Sequence, residues 1–270
     1  MPELPEVETT LRGVAPHLVG RKIVEITVRD RRLRWPVPDS VHDLTGLKID
    51  SARRRGKYLI FTTRAASLII HLGMSGSLRI VDPATAWQKH DHFAILLGSG
   101  KQLRLHDPRR FGCVVLAAEP DQHPLLAALG PEPLDDKAFN ATHLFAASHG
   151  KSVAVKNFIM DSHVVVGVGN IYASESLFIA GIRPTRPAGK VTRTAFERLA
   201  DAIRQVLGAS IEAGGTTLRD FLNEKGEPGY FAQSLRVYDR AGQRCLRCGG
   251  TVKRIVLGQR STYFCPKCQK

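Results

Sequence analysis

The 270-residue chain has no run of about 18 apolar residues, so no helix in it is expected to span a membrane. It opens MPELPEVETT, which has neither the positive charge nor the apolar stretch of a secretory leader. It also has no amphipathic helix with a Lys/Arg face and a bulky apolar side, which argues against a membrane-surface protein. Acidic residues are scarce. Against 39 Lys and Arg stand 25 Asp and Glu, a formal charge of +14. Such an imbalance makes a polyanion the expected partner, nucleic acid being the commonest; a basic solubility surface is the other reading. Cysteine is scarce too. Of five, four follow residue 244 as two CxxC pairs instead of spreading through the chain as a disulfide framework, which suits a reducing compartment and a metal. There is no internal repeat and no low-complexity tract.

What is present is enough for a core: 43% of residues are apolar, and the length suits one large or two modest domains. From Pro5, Val7, Leu11, Val14 and Leu18 fall on one helical face, with Glu6 and Glu8 near its positive end and Gly20 as a stop. The period then changes. KIVEITVR, KYLIFTT, SLIIHL, SLRIV, HFAILL, KQLRLH and CVVLA are short β-prone runs divided by Gly, Asp or Pro. HFAILLGSGKQLRLH reads as a hairpin, and the series predicts a sandwich or barrel to about Ala118. LGPEPLDD at 129–136 is a breaker cluster suited to a domain boundary. Helices are expected after it, one ending at Gly181 and one placing Phe196, Leu199, Ile203, Val206 and Ile211 on one face with Gly214 as stop. The polar stretch 221–233 reads as a loop.

CLRC at 245–248 and CPKC at 265–268 are separated by 16 residues, a zinc spacing. Each CxxC turn can aim two thiolates at one ion, so Cys245, Cys248, Cys265 and Cys268 are the candidate ligands of a single structural Zn2+. Two disulfides are the other reading. A tail this short cannot build its own core, so the metal is expected to supply much of its folding energy. TVKRIVLGQRSTYF, between the pairs, predicts a β-hairpin offering Lys253, Arg254 and Arg260 to phosphates. Cys113, alone in an apolar strand, is expected to be a core thiol.

Two further stretches read as loops with apolar side chains beside arginine. HLGMSGS (71–77) carries Met74, and HDPRRFG (106–112) carries Arg109 and Phe111. Minor-groove proteins push such side chains between base steps; core filling by Met74 and strand-end packing by Phe111 are the plainer alternatives. VVVGVGNIYASE (164–175) places Asn170 at a helix start, where exposed N–H groups suit a phosphate and Asn170 itself could cap.

PELPEVE, RRGKYL, HLGMSGSL, KHDH, DPRRFG, LGPEPL, VVGVGNIYASE, GGTTL, PGYFAQ and the four cysteines, in this order from residue 2 to residue 268, closely resemble the bacterial formamidopyrimidine-DNA glycosylase family. The resemblance implies an α+β protein in three parts: an N-terminal β-sandwich with an N-terminal helix (1–131), a helical helix–two-turn–helix domain (132–234) and a C-terminal zinc-finger β-hairpin (235–270). It implies a base-excision-repair glycosylase and strand-cleaving lyase acting on oxidised purines in double-stranded DNA, a monomer in the bacterial cytoplasm. Pro2 matches the nucleophile, an α-amino group once Met1 is removed. Glu3 matches a proton-transfer acid, Glu6 a supporting carboxylate, Lys57 the group for β-elimination, and Arg260 that for the later elimination and phosphate grip. For Lys57 a solvated basic turn is the alternative. His71, His90, Arg109, Lys151 and Asn170 match DNA contacts; Met74, Arg109 and Phe111 match the side chains that fill the void of an everted base; 221–233 matches a lid. An endonuclease VIII-like relative acting on oxidised pyrimidines would have Gly where Leu4 stands and would lack DPRRFG. A non-catalytic DNA-binding paralogue predicts a damaged nucleophile site, whereas Pro2, Glu3 and Lys57 are intact.

Overall fold

The computed structural model describes residues 2–216 and 234–270, so the stretch 221–233 lies outside the described residues. The chain divides into two compact units, residues 2–127 with 213–216, and residues 128–212 with 234–270. Among the described residues no helix is long and apolar enough to cross a membrane.

In the first unit, helix α1 (Leu4–Leu18) starts with Pro5 in its first turn and buries Val7, Leu11, Val14 and Leu18, the stripe that the 3.6-residue period marks. Eight strands follow: β1 (Ile23–Val28), β2 (Ile49–Arg55), β3 (Tyr58–Thr63), β4 (Ser67–His71), β5 (Ser77–Val81), β6 (Asp91–Leu97), β7 (Gln102–His106) and β8 (Cys113–Ala117). They form two antiparallel four-stranded sheets, ordered β1-β6-β7-β5 and β2-β3-β4-β8. Their inner faces share one core with α1. Ile26, Phe93, Ile95, Leu103 and Leu105 come from one sheet, and Leu59, Phe61, Leu68, Ile70 and Val114 from the other. Each such side chain contributes about 1.5–3 kcal/mol of burial. Alternation along β7 sends Leu103 and Leu105 inward and leaves Gln102 and Arg104 on the opposite face. Arg104 is nonetheless buried. It stacks 4.2 Å from the Trp87 ring centre, donates to Gln102 Oε1 at 2.6 Å and reaches the carbonyls of Thr85 and Ala86.

The strand pairing sets two loops side by side. His71, the last residue of β4, pairs with Cys113, the first of β8. The loop leaving β4 therefore lies against the loop entering β8, and only glycine fits the seam. A Cβ on Gly73, whose φ is +64°, would meet Gly112 N and the Phe111 carbonyl carbon at 2.4 Å. A Cβ on Gly112 would meet the His71 carbonyl oxygen at 2.6 Å. The buried Asp107 carboxylate closes the second loop by accepting the Gly112 N–H at 2.8 Å.

The second unit holds helices α3 (Ala141–Ser148), α4 (Val155–Met160), α5 (Asn170–Ala180) and α6 (Arg193–Glu212), counting the short α2 (Pro124–Ala127) at the end of the first unit. Phe196, Leu199, Ile203, Val206 and Ile211 of α6 are all buried. α5 ends at Gly181 in the left-handed conformation, φ +73°. Strands β9 (Lys253–Leu257) and β10 (Arg260–Phe264) form the expected hairpin. Phe178 of α5 packs with Val237, Cys245, Val252, Tyr263 and Cys265, so the cysteine module shares its apolar cluster with a helix instead of standing alone.

Gly73→Ala is expected to cost about 2–4 kcal/mol, combining left-handed strain with overpacking. Gly46→Ala, also at positive φ but with open space around it, should cost only about 1 kcal/mol. Urea unfolding of the two variants measures the difference; equal costs would refute the seam.

Candidate active site and nucleic-acid interface

Helix α1 carries the first constellation. Pro2, Glu3 and Glu6 are all buried at its start. Glu3 is the N-cap and forms a reciprocal capping box with Glu6. The Glu3 N–H donates to Glu6 Oε2 at 2.8 Å, and the other carboxylate oxygen, Oε1, accepts the Thr216 N–H at 2.8 Å. One side chain thus holds both the start of the chain and Thr216, 210 residues later. Two carboxylates are tolerated here because backbone N–H groups and the positive helix end face them.

Lys57 occupies the tight turn between β2 and β3 and is half-buried. The turn is anchored by Arg54, which donates to Glu8 Oε2 of α1 and to the Gly56 carbonyl, both at 2.9 Å. His71 pairs across the sheet with Tyr58, ring centres 4.8 Å apart. Burial, and then the charges of Lys57 and Arg34, push His71 down to about 4. Its Nδ1 accepts the Gly73 N–H at 2.9 Å. The neutral ring therefore carries its proton on Nε2.

The glycine seam unites the two loops that bear Met74, Arg109 and Phe111. Met74 is half-buried and stands outside the main core cluster. Phe111 is 45% exposed, so strand-end packing does not account for it. The Arg109 guanidinium lies 5.1 Å from the Phe111 ring centre. His90, just before β6, is flanked by the rings of His92 and His106 at 6.0 and 5.8 Å, and its carbonyl accepts the Asp107 N–H. Cys113 is buried and its thiol is pushed up to about 11 by that burial, the mark of an inert core sulfur.

In the second unit, Asn170 is the first residue of α5, but Gly169 occupies the N-cap position. The capping reading of Asn170 is therefore replaced by another arrangement. Its Oδ1 accepts from Lys156 Nζ, and its Nδ2 donates to the Ser261 carbonyl at 3.0 Å and to Tyr238 Oη at 3.3 Å. Lys156 is fully buried on α4 and also donates to Thr262 Oγ1 at 2.7 Å. Glu175, one turn further along α5, accepts the N–H groups of Arg236, Val237 and Tyr238 at 2.8–2.9 Å. Neither Lys156 nor Glu175 stands out in the sequence, where Lys156 sits beside Asn157 in the short run VKNFIM. Lys151 is exposed in the turn after α3. Arg260 opens β10 directly after Gly258 and Gln259, both at positive φ (+55° and +59°), a two-residue turn that exposes the side chain.

The four sulfurs of Cys245, Cys248, Cys265 and Cys268 lie within 4.8 Å of one another. The Cys245–Cys268 and Cys248–Cys265 separations are 3.8 and 3.5 Å. A tetrahedron of sulfurs about 2.3 Å from zinc has edges of about 3.8 Å, so the donor set fits one zinc ion. Burial resists ionisation at Cys245, Cys265 and Cys268. At Cys245 the backbone N–H groups of Cys248 and Arg247 overcome it and bring the thiol to about 7, while burial and the three neighbouring sulfurs push Cys268 up to about 12. Such a set ionises fully only around a cation.

Comparison with known proteins agrees with each part. Residues 1–114 match the model of the formamidopyrimidine-DNA glycosylase N-terminal domain, 129–222 that of the formamidopyrimidine-DNA glycosylase H2TH domain, and 242–270 a zinc finger found in FPG and IleRS. The formamidopyrimidine-DNA glycosylases of Methylococcus capsulatus and Alcanivorax borkumensis are 60% and 56% identical, with 100% of each chain covered. Among solved structures, the MutM (Fpg) protein of Thermus thermophilus is similar at TM-score 0.89 and 39% identity, over 99% of this chain and 98% of that one. The Lactococcus lactis Fpg in complex with DNA containing an abasic site is similar at TM-score 0.91 and 32% identity, over 99% of both chains. The chain belongs to the formamidopyrimidine-DNA glycosylase family.

Proposed function

We propose that this protein is a base-excision-repair DNA glycosylase and abasic-site lyase that removes oxidised purines, 8-oxoguanine and formamidopyrimidines, from double-stranded DNA. The observation that carries the reading is the buried start of α1, where Glu6 fixes the backbone next to Pro2. Its three parts are taken as 1–131, 132–234 and 235–270, working as a monomer in the bacterial cytoplasm.

The chemistry follows from an amine held in place. Removal of Met1 leaves Pro2 with a secondary α-amino group, whose class has a pKa of about 8, so an appreciable fraction is unprotonated at neutral pH. That nitrogen attacks the anomeric carbon. The bond to the damaged base breaks, the base leaves with the electron pair and takes a proton, and the sugar ring opens to an iminium ion on Pro2. Glu3 supplies or shuttles the ring-oxygen proton. The iminium acidifies the adjacent sugar C–H, Lys57 assists its removal, and the 3′ phosphate leaves by β-elimination. Arg260 assists the second elimination, which releases the 5′ phosphate. Water then frees Pro2.

The base must first leave the stack, at a cost of a few kcal/mol. Met74, Arg109 and Phe111 fill the gap, and the seam of Gly73 and Gly112 supports them as one rigid wedge. Neutral His71 donates from Nε2 to a phosphate, and His90, Lys151 and Asn170 contact the backbone. Zinc on the four cysteines would be structural, closing the module that presents Arg260.

Four outcomes follow from this reading. Borohydride treatment during reaction with an 8-oxoguanine duplex should yield a covalent adduct mapped to Pro2, and Pro2→Gly should weaken or redirect turnover while lesion DNA still binds. No adduct, or a linkage elsewhere, would overturn it. Chelation of zinc should abolish DNA binding while the sandwich stays folded by circular dichroism; tight binding by the chelated protein would contradict the role of the hairpin. For His71, whose ordinary pKa is about 6.5 and whose folded value is about 4, the unfolded chain takes up a proton in that window and the folded one does not. Stability should therefore fall as pH drops from 6.5 towards 4, and His71→Gln should flatten that decline in urea titrations.

A further inference from the structure

The stretch RDRRLRWPV (29–37) ends β1 and returns as a tight turn, with Leu33 buried at its base and Arg34 and Trp35 exposed. It is tied to the wedge loop twice. The Arg34 N–H donates to the Gly112 carbonyl at 3.0 Å, and Arg110 pairs with Asp30 at 2.6 Å. Its cations are not equivalent. Arg29 donates to the Gln88 carbonyl and lies 5.0 Å from the Trp87 ring centre. Arg31 pairs with Asp39 at 2.8 Å and Arg32 with Asp30 at 2.8 Å. Arg34 alone in this turn has neither a carboxylate nor a carbonyl on its guanidinium among the described residues. That guanidinium lies 4.6 Å from the Trp35 ring centre, a cation–π stack on an indole that is 36% exposed.

We propose that Arg34 is a further phosphate-gripping residue, held in register by Trp35 and covalently continuous with the turn bonded to the wedge loop. The inference rests on the DNA-binding reading above. Arg34 faces the same region as the proposed grip: its charge, with that of Lys57, helps hold His71 neutral. An isolated exposed arginine would lose side-chain freedom on meeting a phosphate; stacking on Trp35 has already removed part of that freedom. The charge is thus presented ready for an anion, beside a wedge that works only when the DNA backbone is held.

The test is the salt dependence of binding to a duplex carrying a tetrahydrofuran abasic analogue, by fluorescence anisotropy. Arg34→Ala should weaken binding severalfold and reduce the slope of log K against log salt by about 1. Arg34→Lys should keep the slope and lose part of the affinity. Trp35→Ala should weaken binding in the presence of Arg34 and have no further effect once Arg34 is replaced. Thermal melting confirms that each variant is folded, and Arg34→Gln replaces Arg34→Ala if that variant is not. A neutral variant with the wild-type slope would overturn the proposal. Wild-type protein that neither binds this duplex nor traps on 8-oxoguanine DNA would instead overturn the glycosylase reading itself.

Discussion

One carboxylate fixes the start of the first helix. Glu6 is buried, and a buried carboxylate without partners would cost several kcal/mol. Its two oxygens are occupied by the N–H groups of Glu3 and Thr216, and the positive end of α1 supports the charge. Each such charge-assisted bond contributes about 1.5–3 kcal/mol. A chain end ordinarily frays. This one is fixed because the fold would otherwise strand a charge, so the backbone beside Pro2 inherits a rigid frame. Nucleophilic attack by a terminal amine needs that frame, since the gain from orienting a reactant is lost when it wanders.

The second unit uses the same device with the opposite sign. Lys156 is fully buried, and its ammonium is shared among Asn170, Thr262 and the Ser261 carbonyl. Asn170 is in turn bonded to Ser261 and Tyr238, while Glu175 holds the backbone at Val237 and Tyr238. α4, α5 and β10 are therefore locked by polar bonds around residues one and two removed from Arg260. Zinc is one constraint on the hairpin and Lys156 is another. The metal closes the distant cysteine end, and the lysine fixes the strand near its exposed arginine.

Much of this was legible in the sequence because it is local. The faces of α1 and α6, the strand runs, the glycine stops and the cysteine spacing all follow from periods and turn chemistry within a few residues. The shared cluster around Phe178 was not, since a hairpin with its own metal gives no hint of which helix it will pack on. Asn170 shows the limit clearly. GVGN reads equally as a cap or a phosphate contact, and the outcome depends on Lys156 and Ser261, 14 and 91 residues away. Buried ionic partners of this kind carry no pattern of their own. The family resemblance named the candidate residues, and only the geometry showed what holds them.

Net charge gains meaning once the committed cations are set aside. Arg54 and Arg12 share Glu8; Arg32 and Arg110 share Asp30; Arg53, Arg79 and Arg204 have Asp121, Asp91 and Asp201. These pairs brace turns and helix ends, and their fields largely cancel. Among the cations outside these pairs, Arg109 lies beside Phe111, Arg34 over Trp35, and Arg260 is exposed at the start of β10. Two of the three stand on aromatic faces, which orient a guanidinium without neutralising it. On the proposed reading, contacts made from rigid turns such as these would turn a general attraction for DNA into a defined position on it.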